Sequence, residues 1–451
     1  MSRLKLLALL LPVALSSHAF AQKRVATPNF TEWHDLAVND MNRLPLHADF
    51  FPFRVGEVSP SAMPRKADSR NFLSLDGDWK FLWVANADER PDDFYRVDLD
   101  DSKWGVMPVP GMWELNGYGD PEYVNIGFAW RGHFQGTPPD VPVKDNHVGS
   151  YRRHVTLPAD WAGRQVICHL GSVTSSVYLY VNGQFAGYAE DAKVAAEFDI
   201  TRLLHEGDNL IAFQVFRWSD GSWCEDQDFW RLSGVARESY LFARDKERHF
   251  DDIRLTPTLS SDFADGNLHI WSKQKVGLPV KFRLYAPDGS FVSERTFDTE
   301  WRGYVDLDMQ VYDVKKWSAE TPDLYTLVCS TPAEETFIKV GFRDVRIEGG
   351  QLKVNGQPIL IKGVNRHEID PDGGYVVSAE RMEDDLRIMK RLNVNAIRTS
   401  HYPDDPRFYD MCDRYGFYVV AEANQESHGF GYEGAPRSKD DDFELQRLRY
   451  C

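Results

Sequence analysis

Residues 359–368 read ILIKGVNRHE, residues 394–403 read VNAIRTSHYP, and residues 417–429 read FYVVAEANQESHG. Each segment opens on an apolar run of strand length and closes on a polar cluster. Between the first two, Met382, Leu386, Met389 and Asn393 recur at helical spacing behind Ser378, a suitable N-cap. Between the last two, Asp405-Pro406 opens a second helix with proline at its first position, and Gly416 closes it. Strand, helix, strand, helix, strand predicts a parallel α/β unit. A (β/α)8 TIM barrel takes about 250 residues, so residues 344–451 are expected to hold its first three β/α units. Ile359, Ile361, Ile397, Val419 and Val420 are then expected to lack an opposite wall, leaving this segment poorly folded.

Upstream the grammar is different. From 71 to 245 short strands alternate with turn signals, as in Tyr151–Leu157 and Ser176–Val181. The latter runs into Asn182-Gly183, a hairpin turn pair. This predicts an antiparallel jelly-roll sandwich. Residues 246–343 continue in shorter form, with strands expected over Ile253–Leu259, Leu268–Lys273, Val280–Tyr285 and Tyr325–Cys329. That spacing suits an immunoglobulin-like β-sandwich. Residues 22–70 are polar and irregular and read as an N-terminal arm. The fold class expected is therefore multidomain: jelly roll, immunoglobulin-like sandwich, then part of a TIM barrel.

Residues 1–21 carry Arg3 and Lys5, the apolar run Leu6–Leu15 and the small-x-small site Ala19-Phe20-Ala21. This is the pattern of a secretory signal peptide, and it predicts a secreted or periplasmic protein. The formal charge of −17 becomes −19 once that segment is removed. So acidic a chain argues against nucleic acid and anionic membranes as partners. The five cysteines are widely spaced and odd in number, without a zinc or disulfide framework, and most read as buried free thiols.

In a (β/α) barrel the working groups sit where strands end. The three strands here end in Asn365-Arg366-His367-Glu368, Ser400-His401-Tyr402-Pro403 and Glu422-Ala423-Asn424-Gln425-Glu426-Ser427-His428-Gly429. One histidine in such a place is commonly structural. Three strands ending alike point to a site.

The motifs Gly363-Val-Asn-Arg-His-Glu368, Ser400-His-Tyr-Pro403, Cys412-Asp-Arg-Tyr-Gly416 and Glu422-Ala-Asn-x-Glu-x-His-Gly429 closely resemble β-galactosidases of glycoside hydrolase family 2. So do Tyr123-Val-Asn-Ile126, Arg217-Trp-Ser-Asp-Gly-Ser222, Glu225-Asp-Gln-Asp-Phe-Trp-Arg231 and Trp317-Ser-Ala-Glu-Thr-Pro-x-Leu-Tyr325. The resemblance covers nearly the whole chain after residue 21, up to about Pro436. It implies retaining hydrolysis of a terminal β-D-galactose from a β-galactoside or galactose-containing oligosaccharide. It implies that His367 and His401 hydrogen-bond galactosyl hydroxyls and stabilise the transition state, and that Asn125 and Asp228 contact the sugar. Glu426 and His428 are implied as Mg²⁺ ligands, with Asp228 near a Na⁺ site and Asp220 near a second metal. The oligomeric state of the parent is left open, a homo-oligomer included.

Retaining hydrolysis needs two carboxyl groups about 5 to 5.5 Å apart. The resemblance places both, an acid/base and a nucleophile Glu, beyond residue 451, and the sequence after Arg437 leaves the family pattern. The chain is thus expected to be truncated and inactive alone. Two other readings stand beside this one: a non-catalytic carbohydrate-binding protein using its jelly roll, and one part of a complementing pair.

Overall fold

The structure is a computed structural model that describes residues 27–59, 64–125, 127–299 and 301–426. Residues 1–21, expected to be a signal peptide, His428, Cys451 and the tail after Arg437 lie outside the described residues.

Among the described residues, the first sandwich pairs a seven-stranded antiparallel sheet with a four-stranded one. The larger sheet is centred on Ser176–Val181, Asp208–Phe216 and Val148–Thr156. The smaller holds Ala196–Asp199, Gln165–Leu170, Ser239–Arg244 and Phe72–Ser74. Trp79, Phe81, Tyr151, Leu179 and Phe213 fill the space between them. Asn182 and Gly183 turn the hairpin with φ of 51° and 80°, values that Asn and Gly tolerate best.

Ser176–Val181 does not alternate in burial as its sequence suggested, and every residue of it is buried. The arm is the reason. Trp33 stacks on Phe216 at 5.2 Å, and Glu32 accepts a hydrogen bond from the Tyr178 hydroxyl at 2.9 Å. A second apolar cluster with Tyr178, Tyr180, Tyr188 and Phe94 therefore covers the outer face. The arm also adds strands. Asp40–Met41 pairs with Gln184–Ala189 in the first sandwich, and Phe53–Arg54 pairs with Glu334–Val340 in the second.

The second sandwich sets Phe250–Leu259, Gly266–Gln274 and Tyr304–Val311 against a five-stranded sheet. Ile253, Ile270, Phe282, Met309 and Leu327 form its core. Cys168, Cys329 and Cys412 are buried free thiols, and Cys224 is buried as well.

After it come a small antiparallel sheet over Val345–Pro358 and three parallel strands, Gly363–Arg366, Ala396–Thr399 and Tyr418–Ala421. The helices between them are Ala379–Arg391, capped by Ser378, and Pro406–Tyr415, capped by Asp405 and ended by Gly416. The first parallel strand starts at Gly363, later than the apolar run from Ile359. The run divides before it: Ile359 N–H donates to the Leu352 carbonyl of the small sheet, while Lys362 already faces the second strand, accepting the Asn395 N–H at 2.9 Å and donating its own N–H to Asn395 Oδ1.

The expectation that five apolar side chains would lack a wall is corrected at Ile397 and Val419. Ile397 is fully buried with Met382, Leu386, Phe408 and Met411 of the two helices, and Val419 packs against the same cluster. Strand partners share a face, so Ile397 and Val419 lie together on the helix side. On the opposite face Val420 is 58% exposed, and Ile361 is 50% exposed.

Candidate functional site

The polar ends of the three parallel strands converge, and a two-stranded ribbon of the first sandwich closes over them. The ribbon pairs Glu122–Val124 with Phe229–Arg231. Phe229 lies flat on His367, ring centres 3.9 Å apart and 6° from parallel. Its neighbour Asp228 donates its backbone N–H to Glu426 at 3.1 Å. Gln227 donates to Asn424 at 3.0 Å. Two domains are thus locked together through the residues singled out in the sequence.

His367 is held on three sides. The Tyr402 hydroxyl accepts the Glu368 backbone N–H at 3.1 Å and lies 3.4 Å from His367 Nδ1. In the tautomer with the ring proton on Nε2, that hydroxyl donates its proton to Nδ1. Burial, then the neighbouring His401 and Lys193, push the His367 pKa down to about 4. The ring is therefore neutral near pH 7 and offers one N–H donor.

His401 stands edge-on to His367 at 5.6 Å. Its Nδ1 donates to Glu422 at 3.0 Å, while Arg398 Nε donates to the other Glu422 oxygen at 2.6 Å. Burial opposes ionisation of Glu422, but these two hydrogen bonds outweigh it and hold its pKa below the usual carboxylate range. The second His401 nitrogen, Nε2, lies 3.6 Å from Glu426.

Glu368 was noted in the same strand-end cluster, but it does other work. It is buried against Arg237 of the first sandwich at 2.6 Å and accepts the Asp405 N–H at 2.8 Å. Composition gave no sign of Lys193, which the jelly roll sends into the junction. It is buried, with Nζ 3.8 Å from the Tyr375 ring centre and 4.3 Å from that of Tyr402. Burial pushes its pKa down to about 8. Its only trace in the sequence is a lone lysine in Asp-Ala-Lys-Val, indistinguishable from a surface residue.

His367, His401, Asp228 and Glu426 are therefore brought together. Asn125 is exposed on the ribbon, one position past the Val124–Phe229 pair and so beside Asp228. Asp220 is buried in the first sandwich beside Glu190. The Glu426 carboxylate is a hard oxygen donor that suits Mg²⁺. Among the described residues, however, no three His, Cys, Asp or Glu side chains are placed to hold an ion. These residues alone do not make a metal centre. No described helix is long and apolar enough to cross a membrane.

Comparison with known proteins agrees with this layout. The glycosyl hydrolases family 2 sugar binding domain matches residues 72–245, the central family 2 domain 248–343, and the family 2 TIM barrel domain 345–440. A β-galactosidase of Priestia megaterium is 37% identical over 419 residues, covering 89% of this chain and 40% of that protein. One of Aeromonas hydrophila is 40% identical over 423 residues, covering 88% and 40%. The chain thus spans about 40% of the length of these relatives. Among solved structures, a Bifidobacterium dentium β-glucuronidase superposes with a TM-score of 0.67 at 21% identity, covering 80% of this chain and 63% of that one. At that identity the likeness speaks for the fold alone.

Proposed function

Because the chain belongs to glycosyl hydrolases family 2, we propose that its strand-end cluster orients the terminal galactose of a β-galactoside for hydrolysis with retention. The observation that carries this reading is the docking of the ribbon on the barrel, with Phe229 on His367 and the Asp228 N–H on Glu426. Neutral His367 donates Nε2–H to a sugar hydroxyl. His401, fixed at Nδ1 by Glu422, turns Nε2 to the same space. Asn125 and Asp228 reach the sugar from the ribbon side.

The acidic lining favours a neutral sugar over a glucuronide. Asp228, Glu422 and Glu426 would all repel a substrate carboxylate, and the nearest guanidinium, Arg398, is already paired with Glu422 at 2.6 Å. The β-galactosidase relatives favour the same choice.

These three carboxylates are poor candidates for nucleophile or acid/base. Glu422 is ion-paired and Glu426 accepts a backbone hydrogen bond. We place the two reacting carboxyl groups in the part of the relatives' length that these 451 residues do not span. Glu426 and His428 are the proposed ligands of Mg²⁺, with Na⁺ near Asp228. The apolar leader of residues 1–21 supports export from the cytoplasm.

The test is hydrolysis by the enzyme with its full family length. Chromogenic β-galactoside should be cleaved, with the released sugar first appearing as the β-anomer by NMR. Cleavage of the matching β-glucuronide in preference to the galactoside, or inversion, would sink the reading.

A further inference from the structure

Lys193 brings a charge into the junction between jelly roll and barrel. Its side chain is buried, and among the described residues its Nζ meets no hydrogen-bond acceptor. Glu368, Asp404 and Glu225 attract it through space, and Arg237 repels it. For packing alone, a methionine of similar length would avoid the cost of burying an ammonium. Yet the loop that delivers Lys193 is held in place on every residue. Asp191 takes a left-handed φ of 76° and accepts a hydrogen bond from Asn424 of the barrel at 3.1 Å. The Ala192 N–H donates to Glu225 at 3.0 Å, and the Lys193 carbonyl accepts from Arg237 at 2.8 Å.

Two aromatic faces receive the ammonium. The ring centres of Tyr375 and Tyr402 lie 3.8 and 4.3 Å from Nζ. A cation over a π face gains most where water is excluded. Burial lowers the Lys193 pKa to about 8, so near pH 7 it keeps its charge.

Each ring leads to His367 by its own route. Tyr402 sets its hydroxyl 3.4 Å from Nδ1, and burial keeps that hydroxyl protonated by raising its pKa well above the ordinary phenol value. Tyr375 runs 13° from parallel with Phe229, ring centres 5.8 Å apart, and Phe229 lies flat on His367. The Tyr375 hydroxyl also donates to the Trp230 carbonyl, which fixes the strand carrying Phe229. The first route sets where the imidazole nitrogens point. The second sets the plane of the ring.

We propose that Lys193 is a positioning residue of the sugar site: by gripping Tyr375 and Tyr402 together it fixes the plane of His367 and keeps the ring proton on Nε2, the nitrogen that meets the substrate. Lys193 itself touches no sugar. The proposal rests on the function given above, which says what His367 is positioned for.

The test is NMR of the His367 ring nitrogens in the 451-residue chain at pH 7, with galactose as the probe ligand. The unaltered chain should show the single tautomer protonated at Nε2. Lys193→Met keeps the length and loses the charge. It should mix the tautomers and weaken galactose binding roughly tenfold, the cost of one misplaced hydrogen bond. Lys193→Arg, whose planar cation also stacks on aromatic faces, should restore the single tautomer and most of the affinity. Lys193→Gln takes the place of the methionine variant if that one does not fold. The Nδ1 tautomer in the unaltered chain, a single Nε2 tautomer in a folded uncharged variant, or loss of it in Lys193→Arg as well would each overturn the proposal. Galactose that binds no version of the chain would sink the proposed function instead, while the ring signals would still decide what Lys193 does.

Discussion

His401 is fixed at one nitrogen by Glu422 and turns the other towards the site, so its contribution is orientation bought before substrate arrives. In the proposed enzyme of full family length His401→Ala should lower kcat by roughly 10² or more, because a hydrogen bond made in the transition state is lost. An unchanged kcat in a folded variant would assign the ring to structure alone. Magnesium should bind the 451-residue chain weakly, since Glu426 is the one described carboxylate offered to it; tight stoichiometric binding by calorimetry would contradict this. A different histidine sets a pH dependence. Both His47 nitrogens face acceptors, the Ala48 carbonyl at 2.7 Å and Glu197 at 3.0 Å, and only the imidazolium donates at both. His169 also donates to Glu197, at 2.8 Å, which a neutral ring can do. Burial opposes the His47 charge, but Glu197 and Ala48 outweigh it and raise its pKa above 6.5, with Arg244 working against them. Asp252 accepts the next N–H, and Lys66 and Glu238 line the same cavity of about 230 Å³. A raised cationic pKa gives stability that is fully present below pH 6.5 and lost as pH rises through the folded value. Melting temperatures measured from pH 5 to 9 should fall at the alkaline end, and His47→Gln should flatten that fall. The same slope in the variant would remove His47 from the account. At this scale the sequence was legible where residue types clustered, as at His367 and His401. It was silent on His47, Glu197 and Lys193, whose partners are brought from other elements by folding.

The helix Pro406–Tyr415 shows how far local rules reach. Asp405 caps it, Pro406 starts it, and Gly416 ends it with φ of 77°. All three were readable because caps act over one or two residues. The sequence could not reveal that Gly416 also abuts the second sandwich, where an added Cβ would lie 2.5 Å from the Ala319 carbonyl oxygen. Gly416→Ala therefore combines a left-handed backbone with a clash and should destabilise the chain by about 1–3 kcal/mol. Urea unfolding followed by tryptophan fluorescence measures this; a loss below about 0.5 kcal/mol would show that the junction yields. Strand limits were harder to read. Ile359–Lys362 has the composition of a buried strand, yet its start is drawn to the small sheet by the bond from Ile359 N–H to Leu352. Ser176–Val181 alternates in polarity as a half-exposed strand would, yet the arm buries its second face. In both cases a distant partner overrode the local pattern.

For the molecule as a whole, the expected outcome is binding without turnover. The 451-residue chain should fail to cleave a chromogenic β-galactoside, since Glu422 and Glu426 are committed to holding the cluster together and the Asp228 carboxylate accepts the Tyr123 hydroxyl. Turnover by the purified chain at a rate above buffer would show that one of them can serve as nucleophile or acid. The order of the large domains was readable because each has its own periodicity. The seams between them were not, being made by single residues such as Arg237, Trp317 and the short strands of the arm. That arm has a consequence for assembly in time. Met41 pairs with Tyr188, and Phe53 with Glu335. A ribosome delivers Phe53 long before its sheet partner Glu335, with the whole first sandwich made between them. Until then the arm must wait beside a growing polypeptide, its aromatic residues Phe51 and Phe53 without their final neighbours. Closing so long a loop costs entropy that local contacts do not repay in advance. Among the described residues the arm is thus late to dock although it precedes both sandwiches in the sequence, and a holdase that shields exposed aromatic segments would find its target there.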